Sequence, residues 1–225
     1  MSIRALIFDF DGLILDTEST EYQSWQELFA AHGCELSLDL WVDCIGRPRG
    51  YFDFYTHFEE MKGAVIDREQ IRLQRHARVS QLNLLQPIQP GVVNYLRDAQ
   101  QLGLKIGLAS SSSRVWVHGH LERLSLYEYF TVTKCVEDTG THKPDPAPYL
   151  AALDALNVLP SEAVAFEDSP NGIAAAKAAG MRCVAVPNPI TQLLQLDHAD
   201  YRLDSFASLS LQDLLLELTR TTLLK

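Results

Sequence analysis

The run Ala5-Leu6-Ile7-Phe8-Asp9-Phe10-Asp11-Gly12 decides the fold of this chain. Four apolar residues followed at once by acids are typical of a buried parallel strand whose polar residues begin at its carboxyl end. Asp9 and Asp11 are two residues apart, so both carboxylates can face one site. Gly12 permits a sharp turn directly after them. The stretch therefore predicts a sheet that carries its chemistry at the carboxyl end of the first strand.

Similar apolar runs recur along the chain and alternate with helical stretches. Strands are predicted at residues 106–109, 164–166 and 183–186, with a weaker candidate at 130–132. Capping and proline signals predict helices that begin near residues 90, 113, 145 and 169. The leucine-rich stretch 209–218 indicates an amphipathic C-terminal helix. This alternation predicts an α/β fold with a doubly wound, Rossmann-like parallel sheet.

The stretch from residue 17 to residue 87 interrupts this alternation. It contains no convincing strand pattern and is rich in aromatic residues, among them Tyr22, Trp25 and Phe29. An all-helical insertion directly after the first strand predicts a separate cap domain at 17–87. The α/β core domain then consists of residues 1–16 and 88–225.

Charge and composition limit the classes of partner. The 225 residues carry a formal net charge of −10, which disfavours nucleic acid and anionic membranes as partners. No apolar run approaches the length of a membrane span, and the N-terminus lacks the pattern of a signal peptide. The four cysteines match no metal or redox spacing. We therefore predict a cytoplasmic protein, in which any anion site must be built from a few local cations and N–H groups.

Three further predicted strand ends carry polar groups. Ser110 and Ser111 follow the second strand of the core, and Glu167 and Asp168 follow the strand at 164–166. Lys143 stands just before a predicted helix start. Because ligands bind where the carboxyl ends of parallel strands meet, these groups are expected to share one site with Asp9 and Asp11. Carboxylates at such positions suit a hard cation with oxygen ligands.

In combination, these motifs resemble those of the haloacid dehalogenase-like hydrolase superfamily. The chain is similar in its Asp9/Asp11 pair, in Ser110, in Lys143 and in the acidic pair Glu167/Asp168. It looks closest to the β-phosphoglucomutase-like subgroup, which also shares Gly46-x-x-Arg49 and Pro90-Gly91-Val92.

The resemblance implies a phosphatase. Asp9 would be the nucleophile that forms an aspartyl-phosphate, and Asp11 would be the general acid and base. The implied cofactor is Mg²⁺, held by Asp9, the Asp11 backbone carbonyl, Asp168 and Glu167. The implied phosphate-binding residues are Ser110, Ser111 and Lys143. The implied substrate contacts from the cap are Glu18, Glu21 and Arg49.

The alternative is a sugar-phosphate mutase of the same subgroup. Such mutases resemble this chain in Arg49 but carry a histidine on the first cap helix, where Glu21 stands here. They also use a cap lysine, which an arginine in the stretch 72–76 could replace. We favour a phosphatase for a small phosphorylated metabolite such as a sugar phosphate, and keep the β-phosphoglucomutase-type mutase as the alternative.

Overall fold

The computed structural model describes residues 3–47 and 50–223. Within these residues the chain forms six strands and ten α-helices. The strands are β1 (Ala5–Phe8), β2 (Lys105–Ala109), β3 (Val132–Lys134), β4 (Ala163–Glu167), β5 (Arg182–Ala185) and β6 (Tyr201–Arg202). The helices are α1 (Thr17–Ala31), α2 (Leu38–Cys44), α3 (Phe54–Lys62), α4 (Arg68–Leu85), α5 (Val92–Gln101), α6 (Arg114–Arg123), α7 (Val136–Thr139), α8 (Ala147–Leu156), α9 (Pro170–Ala178) and α10 (Leu211–Leu223).

The six strands form one parallel sheet in the order β3-β2-β1-β4-β5-β6. The first strand therefore lies inside the sheet, between β2 and β4, with Ile7 opposite Gly107 and Ala165. The strand order reverses at β1, which is where a doubly wound sheet binds ligands. The predicted α/β fold class is confirmed.

Helices cover both faces of the sheet because alternate residues of β1 point to opposite sides. Phe8 belongs to the cluster that packs against α5, α6 and α10, and its ring stacks on Phe166 at 4.8 Å. Ile7 belongs to the cluster beneath α8 and α9. Every residue of β1 and β4 is buried, as a strand with both faces covered requires.

Four helices, α1 to α4, lie within residues 17–87, the insertion that the sequence predicts to be helical. Their apolar side chains form a separate cluster around Trp25, Phe29 and Phe58. The two ends of the insertion meet at an antiparallel bridge between Leu15 and Ile88. The division into a core and a cap at residues 17–87 remains a prediction. Among the described helices, none is long and apolar enough to cross a membrane.

Some predicted boundaries are wrong by one or two residues. The third strand begins at Val132 rather than at residue 130, because residues 127–129 form a 3-10 turn and Phe130 packs edge-on against Phe8. Strand β5 ends at Ala185, and the two-residue β6 had no apolar run to reveal it. Helix α8 is capped by Pro146, although the Asp145 carboxylate still accepts the Ala147 N–H at 2.8 Å.

Candidate active site

Three buried carboxylates meet at the carboxyl ends of β1 and β4. Asp9 directly follows β1, and its N–H donates to the Phe166 carbonyl at 3.0 Å, which extends the ladder by one residue. Glu167 ends β4 and Asp168 comes next. One oxygen atom from each of the three carboxylates lies within 4.8 Å of the others. The register of the two strands therefore assembles an acidic cluster from residues far apart in sequence.

Lys143 supplies a cation to this cluster. Its Nζ donates to Asp9 Oδ1 at 2.6 Å and to Glu167 Oε1 at 2.5 Å, and its side chain is only 6% exposed. Burial alone lowers the pKa of Lys143, but the charges of Asp9 and Glu167 outweigh that effect and raise it. The ammonium group therefore stays charged, and it neutralises one of the three carboxylates.

The remaining negative charge fits a divalent cation. Glu167 Oε2 is buried and has no hydrogen-bond partner among the described residues, although Oε1 accepts from both Lys143 and the Tyr149 hydroxyl. Burial raises the pKa of Glu167 to about 7. Burial also raises the pKa of Asp168 well above its usual range, and the charges of Asp9 and Glu167 add to this effect. Since buried carboxylates need a counter-charge, three oxygen donors within reach of one point suit a hard metal ion.

Asp168 is held in place by Asn188 and Gly12. The Asn188 amide nitrogen donates to Asp168 Oδ2 at 2.9 Å and to the Gly12 carbonyl at 3.1 Å. The Asn188 side-chain oxygen accepts two backbone N–H groups, so the amide is fixed in one orientation. Gly12 has a φ of +77°, and a Cβ there would lie 2.1 Å from Asp168 Oδ2. Such support around a carboxylate is typical of metal sites.

Ser110 and Ser111 follow β2 at the same edge of the sheet. The Ser110 hydroxyl accepts the Ser112 N–H at 3.0 Å, and the Ser111 hydroxyl accepts the Lys143 N–H at 3.0 Å. Neither hydroxyl donates to a protein acceptor within the described residues. Because a hydroxyl both accepts and donates, each keeps its own proton available for an anion.

Asp11 is held apart from the carboxylate cluster by donors of its own. Its Oδ2 accepts from the Ser112 hydroxyl at 2.6 Å, and its Oδ1 accepts from the Trp116 indole at 2.9 Å. Burial raises the pKa of Asp11, as does the charge of Asp9, while the bonds from Ser112, Trp116 and Thr17 oppose the rise. The two aspartates of one short motif therefore have different environments, as separate nucleophile and acid roles require.

A cavity of about 200 Å³ gives access to these groups. Its lining includes Asp9, Asp11, Ser110, Ser111, Lys143 and Asp168 from the core, with Glu18 from α1. Burial raises the pKa of Glu18 to about 7, and the charges of Glu21 and Asp11 add to the effect. A slightly larger cavity, of about 240 Å³, is lined by Gly12, Asn188 and Ser205, and its described lining includes none of the carboxylates predicted for the site. The predicted catalytic groups Asp9 and Asp11 therefore open onto the smaller of these two cavities.

Of the other two predicted cap contacts, Glu21 is not among the described lining residues. Glu21 instead bonds to Arg75 of α4, Oε2 to Nη2 at 2.6 Å. Arg75 also donates to the Ser24 hydroxyl, and its guanidinium lies 3.9 Å from the centre of the Trp25 ring. Arg49 lies outside the described residues. Among the predicted substrate contacts that the structure describes, only Glu18 faces the cavity.

Three residues that bond to the acidic groups from outside the short motifs were not predicted from the sequence. They are Tyr149, Trp116 and Asn188, which bond to Glu167, Asp11 and Asp168 respectively. Each lies outside the short motifs, on a helix or in the loop after β5. Of these three, Asn188 alone gave a signal, since it follows a predicted strand as Asp9, Ser110 and Asp168 do.

Replacing Gly172 by alanine should destabilise the protein, because helix α9 packs its backbone directly against Glu167. A Cβ at this position would lie 1.8 Å from Glu167 Oε2 and 2.0 Å from the carboxyl carbon. We expect a loss of about 1–3 kcal/mol in the free energy of unfolding, measured by urea denaturation.

Gly119 of α6 provides the matched control, since a Cβ there would meet nothing within 4 Å. Gly119→Ala should stabilise the protein by about 0.5–1 kcal/mol, through helix propensity alone. Equal stability of the two variants would contradict the close packing of α9 against Glu167.

The chain is similar to known proteins over most of its length. The family model described as haloacid dehalogenase-like hydrolase matches residues 6–186, which include all the acidic groups of the site. A Bacillus subtilis (strain 168) protein named "Putative phosphatase YhcW" is 46% identical over 213 residues, covering 95% of this chain and 96% of that protein.

Two further relatives cover almost the whole chain. Hexitol phosphatase B of Escherichia coli (strain K12) is 31% identical over 223 residues, covering 95% of this chain and 97% of the relative. The crystal structure of CbbY from Rhodobacter sphaeroides, in complex with phosphate, superposes with a TM-score of 0.69 at 29% identity. It covers 92% of this chain and 96% of CbbY.

Proposed function

Since the chain belongs to the haloacid dehalogenase-like hydrolase family, we propose that it is a magnesium-dependent phosphatase that hydrolyses a small phosphorylated metabolite through Asp9. One observation carries the proposal: Asp9 lines the same cavity as a second, separately bonded aspartate and a buried lysine. The relatives named as phosphatases support it. A sugar or polyol phosphate is the favoured substrate class, in keeping with the hexitol phosphatase relative.

Asp9, Glu167 and Asp168 would hold the metal ion, together with the backbone carbonyl of Asp11. Bound Mg²⁺ would neutralise the charge that otherwise keeps a phosphate dianion away from these carboxylates. The three carboxylates can carry more negative charge than the single positive charge of Lys143 neutralises, which supports the need for such an ion.

Asp9 would attack phosphorus while Lys143, Ser110 and Ser111 hold the phosphoryl oxygens. Lys143 offers a permanent charge, and the two serines offer the hydroxyl protons that they do not use within the protein. As the bond from phosphorus to the leaving oxygen breaks, Asp11 would give that oxygen a proton. Asp11 would then take a proton from water, which attacks the phosphorylated Asp9 and releases phosphate.

The cap favours this function over a mutase. A mutase needs a side chain beside the acid that can exchange protons or hold a second phosphate. Glu21, at the position where the mutases carry histidine, is instead bonded to Arg75, which is only 13% exposed and lies against Trp25. An arginine that is already paired with a carboxylate is poorly placed to bind a second phosphate.

Phosphate release from a panel of sugar phosphates tests the proposal. With Mg²⁺ we expect released phosphate, and EDTA should abolish the release until excess Mg²⁺ restores it. β-Glucose 1-phosphate, primed with glucose 1,6-bisphosphate, should give little glucose 6-phosphate. Rapid and stoichiometric isomerisation without phosphate release would show that the mutase is correct.

A further inference from the structure

Trp116 bonds to the proposed general acid without lining the cavity. Its indole Nε1 donates to Asp11 Oδ1 at 2.9 Å across 105 residues of sequence. Ser112, which also bonds to Asp11, does line the cavity, whereas Trp116 is not among the described lining residues. Whatever Trp116 contributes to the reaction must therefore pass through Asp11.

The indole is fixed by its position on α6. Trp116 lies in the first turn of that helix, where its backbone N–H donates to the capping Ser113 hydroxyl at 3.3 Å. Its ring packs edge-to-face against His120 one turn later, with ring centres 4.4 Å apart. His120 is itself buried and bonded to Arg123. The indole N–H is thus presented to Asp11 by a rigid helix start.

Among the partners of Asp11, the Trp116 indole differs from the hydroxyls of Ser112 and Thr17 in what it can do. An indole N–H only donates, whereas the Ser112 hydroxyl can donate or accept. Oδ1 must therefore stay an acceptor, and the hydroxyl at Oδ2 can reverse its role when Asp11 carries a proton. Oδ1 therefore accepts from a group that can only donate, whereas Oδ2 is bonded to a hydroxyl that can also accept, so Oδ2 is the oxygen that can carry the proton.

We propose that Trp116 is a positioning residue for Asp11, because its indole N–H fixes the carboxyl so that Oδ2 delivers the proton. The inference rests on the proposed function. In the step concerned, the bond from Asp9 to phosphorus forms and the bond from phosphorus to the leaving oxygen breaks. The electron pair of the broken bond takes the proton from Asp11 Oδ2, which leaves Asp11 as a carboxylate.

Two small phosphate esters, whose leaving groups differ in their need for a proton, distinguish a misplaced acid from a general loss of activity. Benzyl phosphate has an alkoxide leaving group that needs the proton, whereas the nitrophenolate of p-nitrophenyl phosphate leaves almost without it. Trp116→Phe keeps an aromatic ring for His120 but removes the N–H. We expect it to lower kcat/KM for benzyl phosphate by about 10- to 100-fold, the usual effect of a misplaced catalytic group. The value of kcat/KM for p-nitrophenyl phosphate should stay within about threefold, because it reports only the steps up to nitrophenol release, in which no proton is needed.

The measured quantity is the ratio of kcat/KM for benzyl phosphate to kcat/KM for p-nitrophenyl phosphate. A partly folded preparation lowers both values equally and leaves this ratio unchanged. Trp41→Phe is the matched control, because the Trp41 indole nitrogen is buried in the cap with no partner among the described residues. It should leave the ratio unchanged. In an Asp11→Asn background, Trp116→Phe should likewise have no further effect on benzyl phosphate.

Three results would overturn the proposal. They are an unchanged ratio in Trp116→Phe, the same change in Trp41→Phe, and a full effect of Trp116→Phe without the Asp11 carboxyl. If the unmodified protein hydrolysed neither ester, the proposed function itself would fail, and the inference with it.

Discussion

Replacing Asp9 by asparagine should reduce phosphate release by a factor on the order of 10⁴ or more, because an amide cannot replace the attacking carboxylate. The change is close to isosteric. The asparagine oxygen can still accept from Lys143 Nζ, which now bonds to Asp9 at 2.6 Å. The variant should therefore fold, and a rate measurement with a sugar phosphate and Mg²⁺ should report chemistry alone.

An aspartate on the protein surface, far from the proposed nucleophile in its role, supplies the control. Asp43 bonds to Arg47 and Tyr51 on the cap and does not line the active-site cavity. Asp43→Asn should keep the activity of the unmodified protein. Phosphate release by Asp9→Asn at more than a few per cent of the normal rate would contradict the assignment of Asp9 as the nucleophile.

Replacing Asp11 by asparagine should separate the two half-reactions. The variant can keep both bonds, since its amide oxygen can accept from the Trp116 indole and its amide nitrogen can donate to the Ser112 hydroxyl. It has no proton to give, so phosphorylation of Asp9 by a sugar phosphate should slow by about 10²–10⁴-fold. Phosphorylation by p-nitrophenyl phosphate should survive, because nitrophenolate leaves without a proton.

Rapid mixing distinguishes these steps. Asp11→Asn should show a burst of nitrophenol close to one equivalent per enzyme, followed by a slow steady rate, because water then lacks its base. A sugar phosphate should give no burst. Turnover of the alkyl ester at the normal rate would mean that Asp11 is not the acid, and that it only supports the turn at Gly12.

The sequence predicted the parts of the site that follow directly from sheet topology. Asp9, Ser110 and Glu167 each come at the end of an apolar run, and parallel strands bring such ends together wherever the helices lie. The same reasoning covers the order of strands and helices in the core. The weak strands were predicted less well. The two-residue β6 was missed, and β3 begins at Val132, two residues later than predicted, because Phe130 packs against Phe8.

The remaining contacts depend on side-chain directions that no short motif contains. Trp116 reaches Asp11 only because α6 begins where it does and its ring packs on His120. Arg75 pairs with Glu21 because α4 packs against α1 across 54 residues of sequence. These directions arise from packing between elements, so the sequence could predict the acid and the cap without predicting what holds them.

The most direct test of the account is the location of the phosphoryl group in the trapped intermediate. Asp11→Asn would be mixed with p-nitrophenyl phosphate and Mg²⁺, quenched in acid during the burst, and digested for peptide mass mapping. We predict one phosphoryl group per enzyme, on the side chain of Asp9, in an amount that matches the nitrophenol released. A burst with no phosphorylated peptide, or with the phosphoryl group on another residue, would contradict the account.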